Sequence, residues 1–325
     1  MKVIVFGGEG YIGKVLVWYL INKNYKVTSY DNLIYFKKKT VNNKNYNFIY
    51  GDIRDSKKIT KIINSYDYAI ILAGLVGDPV TKKFKNLSKE INNKGIRSLI
   101  KICSNSNLKK VVFVSTCSNY GIVPNNIRPD ENYKLKPLSL YSKDKVLAEK
   151  YIMSLQNSSR VSFTILRFAT AFGVSERIRF DLTVNEFVWE ILKKNVLNIY
   201  DKDTYRPYCH VKDFARAILL VIKAKKIKTN YEIFNVGDNK NNFTKNEIIH
   251  KILKYLPYNK IKFTTPNPPV DARDYNVDFS KVNSKLGFKS KYSLDYGIKE
   301  LIMYIADNDL HKNKKKFGNY EIYIR

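Results

Sequence analysis

An α/β fold with a doubly wound parallel sheet is the fold class the sequence predicts, and three observations predict it. Short apolar runs alternate with stretches of helical apolar spacing through the first half of the chain. The first run, residues 2–6, passes directly into Gly7-Gly8-Glu9-Gly10-Tyr11-Ile12-Gly13 and then into a helical pattern. Beyond about Phe172 the rhythm changes to helices mixed with short strands, the pattern of a smaller α+β lobe.

Taken in order, residues 2–6 read as a buried strand and 11–21 as a helix. Residues 26–30 form a second strand ending at Asp31, and 47–50 a third, followed by Gly51-Asp52. The fourth, 68–72, runs into Ala73-Gly74, and 90–103 is a helix. The fifth, 111–114, ends in Ser115-Thr116, with a helix over 141–153 and a sixth strand over 162–167. Strand–helix units of this length imply a parallel sheet covered on both faces. In the second half, 182–192, 211–222, 245–256 and 294–305 are helical, and Pro266, Pro268 and Pro269 mark a loop. The expected organisation is a dinucleotide-binding domain over 1–172, a lobe for the substrate over 173–310, and a tail over 311–325. The tail has a basic run at 311–316 and an aromatic end expected to dock as an extra strand. No internal repeat is present.

Composition narrows the function classes. The chain has 325 residues, 44% of them hydrophobic, enough for roughly two domains. No run of ~18 apolar residues predicts a membrane span, and the apolar start ends in glycines rather than in a cleavage pattern. Cys103, Cys117 and Cys209 are scattered, which fits reduced thiols and a cytoplasmic setting. The three histidines, His210, His250 and His311, have no metal-ligand spacing, so no metal is expected. The net charge is +29. Lysine, asparagine, isoleucine and tyrosine are abundant throughout, as in an AT-rich coding sequence, and no aromatic-interleaved basic motif marks a nucleic-acid site. Excess positive charge still steers a diphosphate-bearing substrate.

The glycine run has the context of a Rossmann-type dinucleotide site. Gly7, Gly10 and Gly13 serve a tight turn, close approach of backbone to pyrophosphate, and close helix–sheet packing. The helix beginning at Tyr11 and Ile12 offers free amides to the phosphates. Asp31 accepts hydrogen bonds from a ribose 2′-hydroxyl and repels a 2′-phosphate, which favours NAD over NADP, although Lys37, Lys38 and Lys39 lie nearby. Asn32 adjoins Asp31, Asp52-Ile53 suits the adenine edge, and Leu72-Ala73-Gly74, leading to Leu75, lets the chain pass close to the cofactor.

Tyr141 and Lys145 form a Tyr-x-x-x-Lys pair on one helix face. An ammonium beside a phenol stabilises the phenolate, which then removes a proton from a sugar hydroxyl while hydride passes to NAD. The spacing alone is weak, because Tyr19/Lys23, Tyr35/Lys39, Tyr208/Lys212 and Tyr258/Lys262 also match. Position distinguishes Tyr141: its helix follows the strand ending in Ser115-Thr116, whose end faces the glycine crevice.

The chain resembles the extended short-chain dehydrogenase/reductase family, in particular its NAD-dependent nucleotide-sugar epimerases and dehydratases. The resemblance rests on Gly7 to Gly13, Asp31, Asp52, Leu72-Ala73-Gly74, Asn92 with Gly95, Ser115-Thr116 with Tyr120-Gly121, Tyr141 with Lys145, and Arg167-Phe168. It continues through Arg206, Tyr208-Cys209-His210-Val211-Lys212-Asp213, Asn235-Val236-Gly237 and Asp271-Ala272-Arg273. It implies catalysis by Thr116, Tyr141 and Lys145, with Lys145 also holding the nicotinamide ribose and Asn92, Ser115 and Phe168 bordering NAD. It implies a nucleotide-diphosphate sugar as substrate, oxidised at carbon 4. Asn185, Arg206 and Arg273 would bind the diphosphate, with Leu75, Thr170 and Tyr208 beside them. A homodimer through the Tyr141 helix is a further expectation. Family dehydratases carry Asp-Glu directly after the catalytic threonine, where this chain has Cys117 and Ser118, so dehydration is not expected. The run from Arg167 through Asn185 looks like a subgroup with sugar epimerases and GDP-heptose-pathway dehydrogenases, leaving epimerase and 4-dehydrogenase both open.

Overall fold

The computed structural model describes residues 1–35, 42–193, 196–258, 260–264, 273–308, 310 and 317–323. Lys37, Lys38, Lys39, the loop prolines, Asp271-Ala272 and the basic run at 311–316 lie outside them.

Seven strands form one parallel sheet: β1 (Lys2–Phe6), β2 (Lys26–Asp31), β3 (Tyr46–Tyr50), β4 (Tyr68–Ile71), β5 (Lys110–Thr116), β6 (Ser162–Phe168) and a late strand, Glu232–Val236. Their spatial order is late strand, β6, β5, β4, β1, β2, β3. Central strands such as Val3-Ile4-Val5-Phe6 and Val111-Val112-Phe113-Val114 are buried along their length, because helices cover both faces of the sheet. The strand order reverses beside β1, so a crevice opens between the ends of β1 and β4, where ligands of such sheets bind.

The late strand corrects the expected boundary at 172. Residues 232–236 pair with β6, and the helix Val211–Lys223 packs against the helix Tyr11–Ile21. The dinucleotide-binding domain therefore takes a strand and a helix from the second half. Pairing with a partner this distant leaves no local signal, so the change of rhythm near Phe172 shows where the chain first leaves the sheet and not where it last returns.

The distal lobe has a three-stranded sheet from Thr170–Phe172, Tyr205–His210 and Asn242–Thr244, and a parallel pair, Leu197–Tyr200 with Ile261–Thr264. Its core packs Phe172, Phe180, Val188, Ile248 and Ile298. The expected helix over 90–103 is instead a π-helical turn, Lys89–Gly95, followed by an α-helix, Ile96–Ser104. The wide turn carries Asn92, whose side chain leaves the helix to bind the main chain at Leu75. The tail segment 317–323 docks as turns rather than as a strand, bound to loops instead of a sheet edge.

Behind the ends of β5 and β6 lies a buried polar network. Arg167 makes a two-nitrogen contact with Glu149, 2.7 Å at its closest, and both side chains are 3% exposed. Ser115 donates to the same carboxylate, Asn119 adds a 2.8 Å bond, and Arg167 reaches Tyr120 at 3.0 Å. Removing one partner strands a buried charge. Glu149→Ala should therefore cost ~3–5 kcal/mol of folding free energy, measured as a lower denaturant midpoint; a midpoint within ~0.5 kcal/mol of the wild type would show that the pair does not anchor the sheet.

Candidate active site

Two adjoining crevices open at the carboxyl ends of the strands. The first is lined by Gly7, Gly10, Tyr11, Ile12, Gly13, Asp31, Asn32, Asp52, Ile53, Leu72, Ala73, Gly74, Leu75, Tyr141 and Lys145, among others. Gly7 adopts a φ of +85°, and a Cβ there would stand 2.7 Å from the Ala73 amide. At Gly13 a Cβ would meet the Gly7 carbonyl at 2.3 Å. Only glycine allows the turn to lie this close to β4 and to its own helix. The helix Tyr11–Ile21 has no side-chain cap, so its first amides remain turned to the crevice. Glu9, inside the glycine run, is buried and neutralised by Lys14 at 2.7 Å and Tyr46 at 2.7 Å.

Asp31 accepts from the amides of Glu9 (3.0 Å) and Leu33 (2.8 Å), and burial pushes its carboxyl up to about 6. Asn32 donates to Asp52 at 2.9 Å, which Arg54 also holds, keeping that carboxyl below its usual range. Asn92 is not on the crevice wall; it fixes the wall by bonding Leu75 through both its amide atoms, at 2.7 and 2.9 Å. A glycine cradle, free helix amides and a carboxylate at the β2 end fit a dinucleotide.

The second crevice is lined by Ser115, Thr116, Ser118, Tyr141, Phe168, Thr170, Arg206, Arg273 and Tyr275, among others. Ser115 and Phe168, expected beside the cofactor, lie here, Ser115 with its hydroxyl committed to Glu149 and Phe168 stacked on Phe214 at 3.9 Å. Arg206 sits 5.0 Å above the Tyr275 ring. Its guanidinium and that of Arg273 give one cavity two cations suited to a diphosphate.

Tyr141 lines both crevices. Its helix, Leu140–Ser154, starts with a capping box between Ser139 and Ser142, which fixes the first turn. One turn on, the Lys145 ammonium lies 5.7 Å from the Tyr141 ring centroid and donates to the Val114 carbonyl at 2.7 Å. Burial pushes Lys145 down to about 8, opposed by the charge of Glu149. Thr116 and Ser118 share a 2.7 Å hydroxyl contact.

Three expected substrate residues stand elsewhere: Leu75 lines the first crevice and not the second, and Asn185 and Tyr208 line neither. Asn185 is fully buried and holds the loop after Thr170–Phe172, accepting from the Gly173 amide (3.0 Å) and donating to the Arg179 carbonyl (3.0 Å). A carboxamide on the inner face of a helix served main-chain groups that the sequence does not reveal as neighbours. Tyr208 is buried in the distal core and lines neither crevice. Sequence reasoning also missed Tyr35, Arg177, Arg179 and Asn319 on the first crevice, of which Arg179 and Asn319 line the second as well. Among the described residues no His, Cys, Asp or Glu cluster has metal-site geometry, and no helix is long and apolar enough to cross a membrane.

A family model, the NAD dependent epimerase/dehydratase family, matches residues 3–237. A putative UDP-glucose 4-epimerase of Methanocaldococcus jannaschii is 28% identical over 312 residues, covering 94% of this chain and 99% of that one. The Thermotoga maritima UDP-glucose 4-epimerase, solved with UDP-glucose, superposes with a TM-score of 0.85 at 26% identity, over 94% of this chain and 99% of that one. The chain belongs to the NAD-dependent epimerase/dehydratase family. It is thus an enzyme of nucleotide-sugar chemistry with NAD as cofactor, and the first crevice supplies the residues to hold that dinucleotide.

The charge on Asp31 yields a pH test. An Asp31→Asn variant should bind NADP more tightly than the wild type at pH 8. That gap should narrow as the pH falls through about 6, where Asp31 itself becomes neutral. Fluorescence titration at pH 5 and 8 measures it; an equal gap at both would remove Asp31 from the discrimination.

Proposed function

We propose that this family member interconverts the carbon-4 epimers of a nucleotide-diphosphate sugar through a keto-sugar intermediate. The observation that carries the reading is Tyr141, common to the cofactor crevice and to the arginine-lined crevice, with the Lys145 ammonium one helical turn away. Arg206 and Arg273 hold the diphosphate, which directs the sugar toward Thr116 and Tyr141. Thr116 hydrogen-bonds the reacting oxygen. Tyr141, as phenolate, takes the hydroxyl proton and later returns it, and Lys145 lowers the cost of that anion. NAD, when bound, accepts the hydride and gives it back. UDP-glucose is the first substrate to try, since both relatives named above carry that activity in their descriptions.

The second crevice supports epimerisation over dehydration. Elimination of water needs a proton donor at the leaving hydroxyl. Cys117 is buried with its thiol on the Arg167 carbonyl, and burial holds it protonated. Asp181 is the one acid among the described residues lining this crevice, and it is bound to Arg179 at 2.5 Å. A homodimer through the Leu140–Ser154 helix, where Leu147 is half exposed, and a cytoplasmic setting for the three buried free thiols belong to the same proposal.

Purified enzyme given a panel of nucleotide sugars should convert one to its 4-epimer with no net NADH. Accumulating NADH and a released keto sugar would instead assign a 4-dehydrogenase of the GDP-heptose type. Tyr141→Phe should lower kcat/KM by ~10²–10⁴ while NAD binding persists; unchanged turnover would remove Tyr141 from the chemistry, and a wild type that binds NAD but converts no sugar of the panel would be a non-catalytic NAD module. The Lys145 ammonium must stay charged to do its work, so kcat/KM should fall as the pH rises through about 8. A profile flat from pH 7 to 9.5 would contradict that role.

A further inference from the structure

Four segments far apart in sequence meet over the cofactor crevice. Tyr35 follows β2 on one rim, and Val76 follows β4 on the other. The Val76 amide donates to the Tyr35 hydroxyl at 3.2 Å. From the tail, the Asn319 side chain donates to the Val76 carbonyl at 2.9 Å, and the Tyr323 amide donates to the Ile34 carbonyl at 2.7 Å. From the loop after Thr170–Phe172, Arg177 donates to the Asn319 side chain at 2.7 Å and to the Gly318 carbonyl at 3.2 Å, with its guanidinium 5.1 Å from the Tyr35 ring centroid. Arg177 and Asn319 are 7% and 5% exposed, so this is a packed junction.

We propose that Arg177, Tyr35 and Asn319 form a clasp that keeps the dinucleotide in its crevice between turnovers, with Arg177 as the cation that answers its phosphates. The charge balance supports this. Arg179 is paired with Asp181, but among the described residues Arg177 makes no ion pair. Burial and the neighbouring Arg179 hold the Arg177 guanidinium down to about 10. A buried cation without a counter-ion is costly, and a phosphate entering the crevice removes that cost. The cofactor is the anion concerned, because Arg177 lines the first crevice alone, whereas Arg206 and Arg273 line the second. Tail docking and NAD binding are then reciprocal: each stabilises the other by the same free energy. The inference rests on NAD as cofactor and deepens the epimerase reading. An epimerase returns its hydride to the sugar and has no need to exchange NAD, whereas a dehydrogenase must release NADH at every turnover.

The test compares wild type, Asn319→Ala and Arg177→Gln, each checked for folding by circular dichroism and thermal melting. Each protein is saturated with NAD, desalted, and assayed over time for NAD still bound, with no sugar present. The wild type should retain the dinucleotide and both variants should lose it about tenfold faster or more, the scale of one hydrogen bond to a charged group. Asn319→Ala keeps the test open should Arg177→Gln fail to fold. Equal loss rates in folded proteins would overturn the clasp alone. Wild type that binds NAD but sheds it during desalting would overturn the clasp too, and wild type with no NAD binding would also overturn the cofactor assignment beneath it.

Discussion

The active site depends on one buried ion pair. Glu149 lies two turns beyond Tyr141 and one turn beyond Lys145, so the three side chains share a face of the helix Leu140–Ser154. Arg167 on β6 and Ser115 on β5 both bind the Glu149 carboxylate. The helix that carries the base is thereby fixed to the strand that carries Thr116. The same carboxylate opposes the effect of burial on Lys145, keeping the ammonium charged further up the pH scale than desolvation alone would allow. Structure and proton chemistry are therefore coupled through one group that touches no substrate.

A second constraint divides the cations between two neighbouring anions. An enzyme that seats a dinucleotide beside a nucleotide-diphosphate sugar must provide for two diphosphates without confusing them. Helix amides and Arg177 line the first crevice, and Arg206 and Arg273 the second. Arg179, at the boundary, is neutralised by Asp181, so the wall between the sites does not compete for either ligand. The net charge of +29 gives a favourable field for both, but a field does not tell two anions apart, and the proposed assignment rests on which cations line which crevice.

What the sequence made legible was local. The glycine turn, Asp31 and the Tyr141–Lys145 spacing each express a short-range geometric demand, and each stands at the crevice. Asn185 and Tyr208 misled because a helix or strand position says which face a residue shares and not what covers that face. In both cases the covering element is the distal core or the loop at Gly173. Residues 232–236 were assigned to the wrong domain for the same reason: parallel pairing with β6 is set by topology, not by pattern. Arg177 and Asn319, 142 residues apart, are joined only by the fold.

On the proposed reading, the long-range junction also bears on the reaction outcome. The roles proposed for Tyr141, Lys145 and Thr116 are the same in an epimerase and in a dehydrogenase, so they do not separate the two. The separation lies in what may leave. A keto sugar that must be reduced by the hydride it has just given up requires the reduced cofactor to stay in place while the sugar turns. The proposed clasp of a buried arginine, a tyrosine and a tail asparagine would impose that residence, because release of the dinucleotide would leave the Arg177 charge buried without a contacting counter-ion. Arg177 and Tyr35 line the first crevice and not the second, whereas Asn319 and Val76 border both, so the arginine end of the bridge is the part that bears on the dinucleotide. On the proposed reading, a dinucleotide retained through that contact would be at hand to return its hydride.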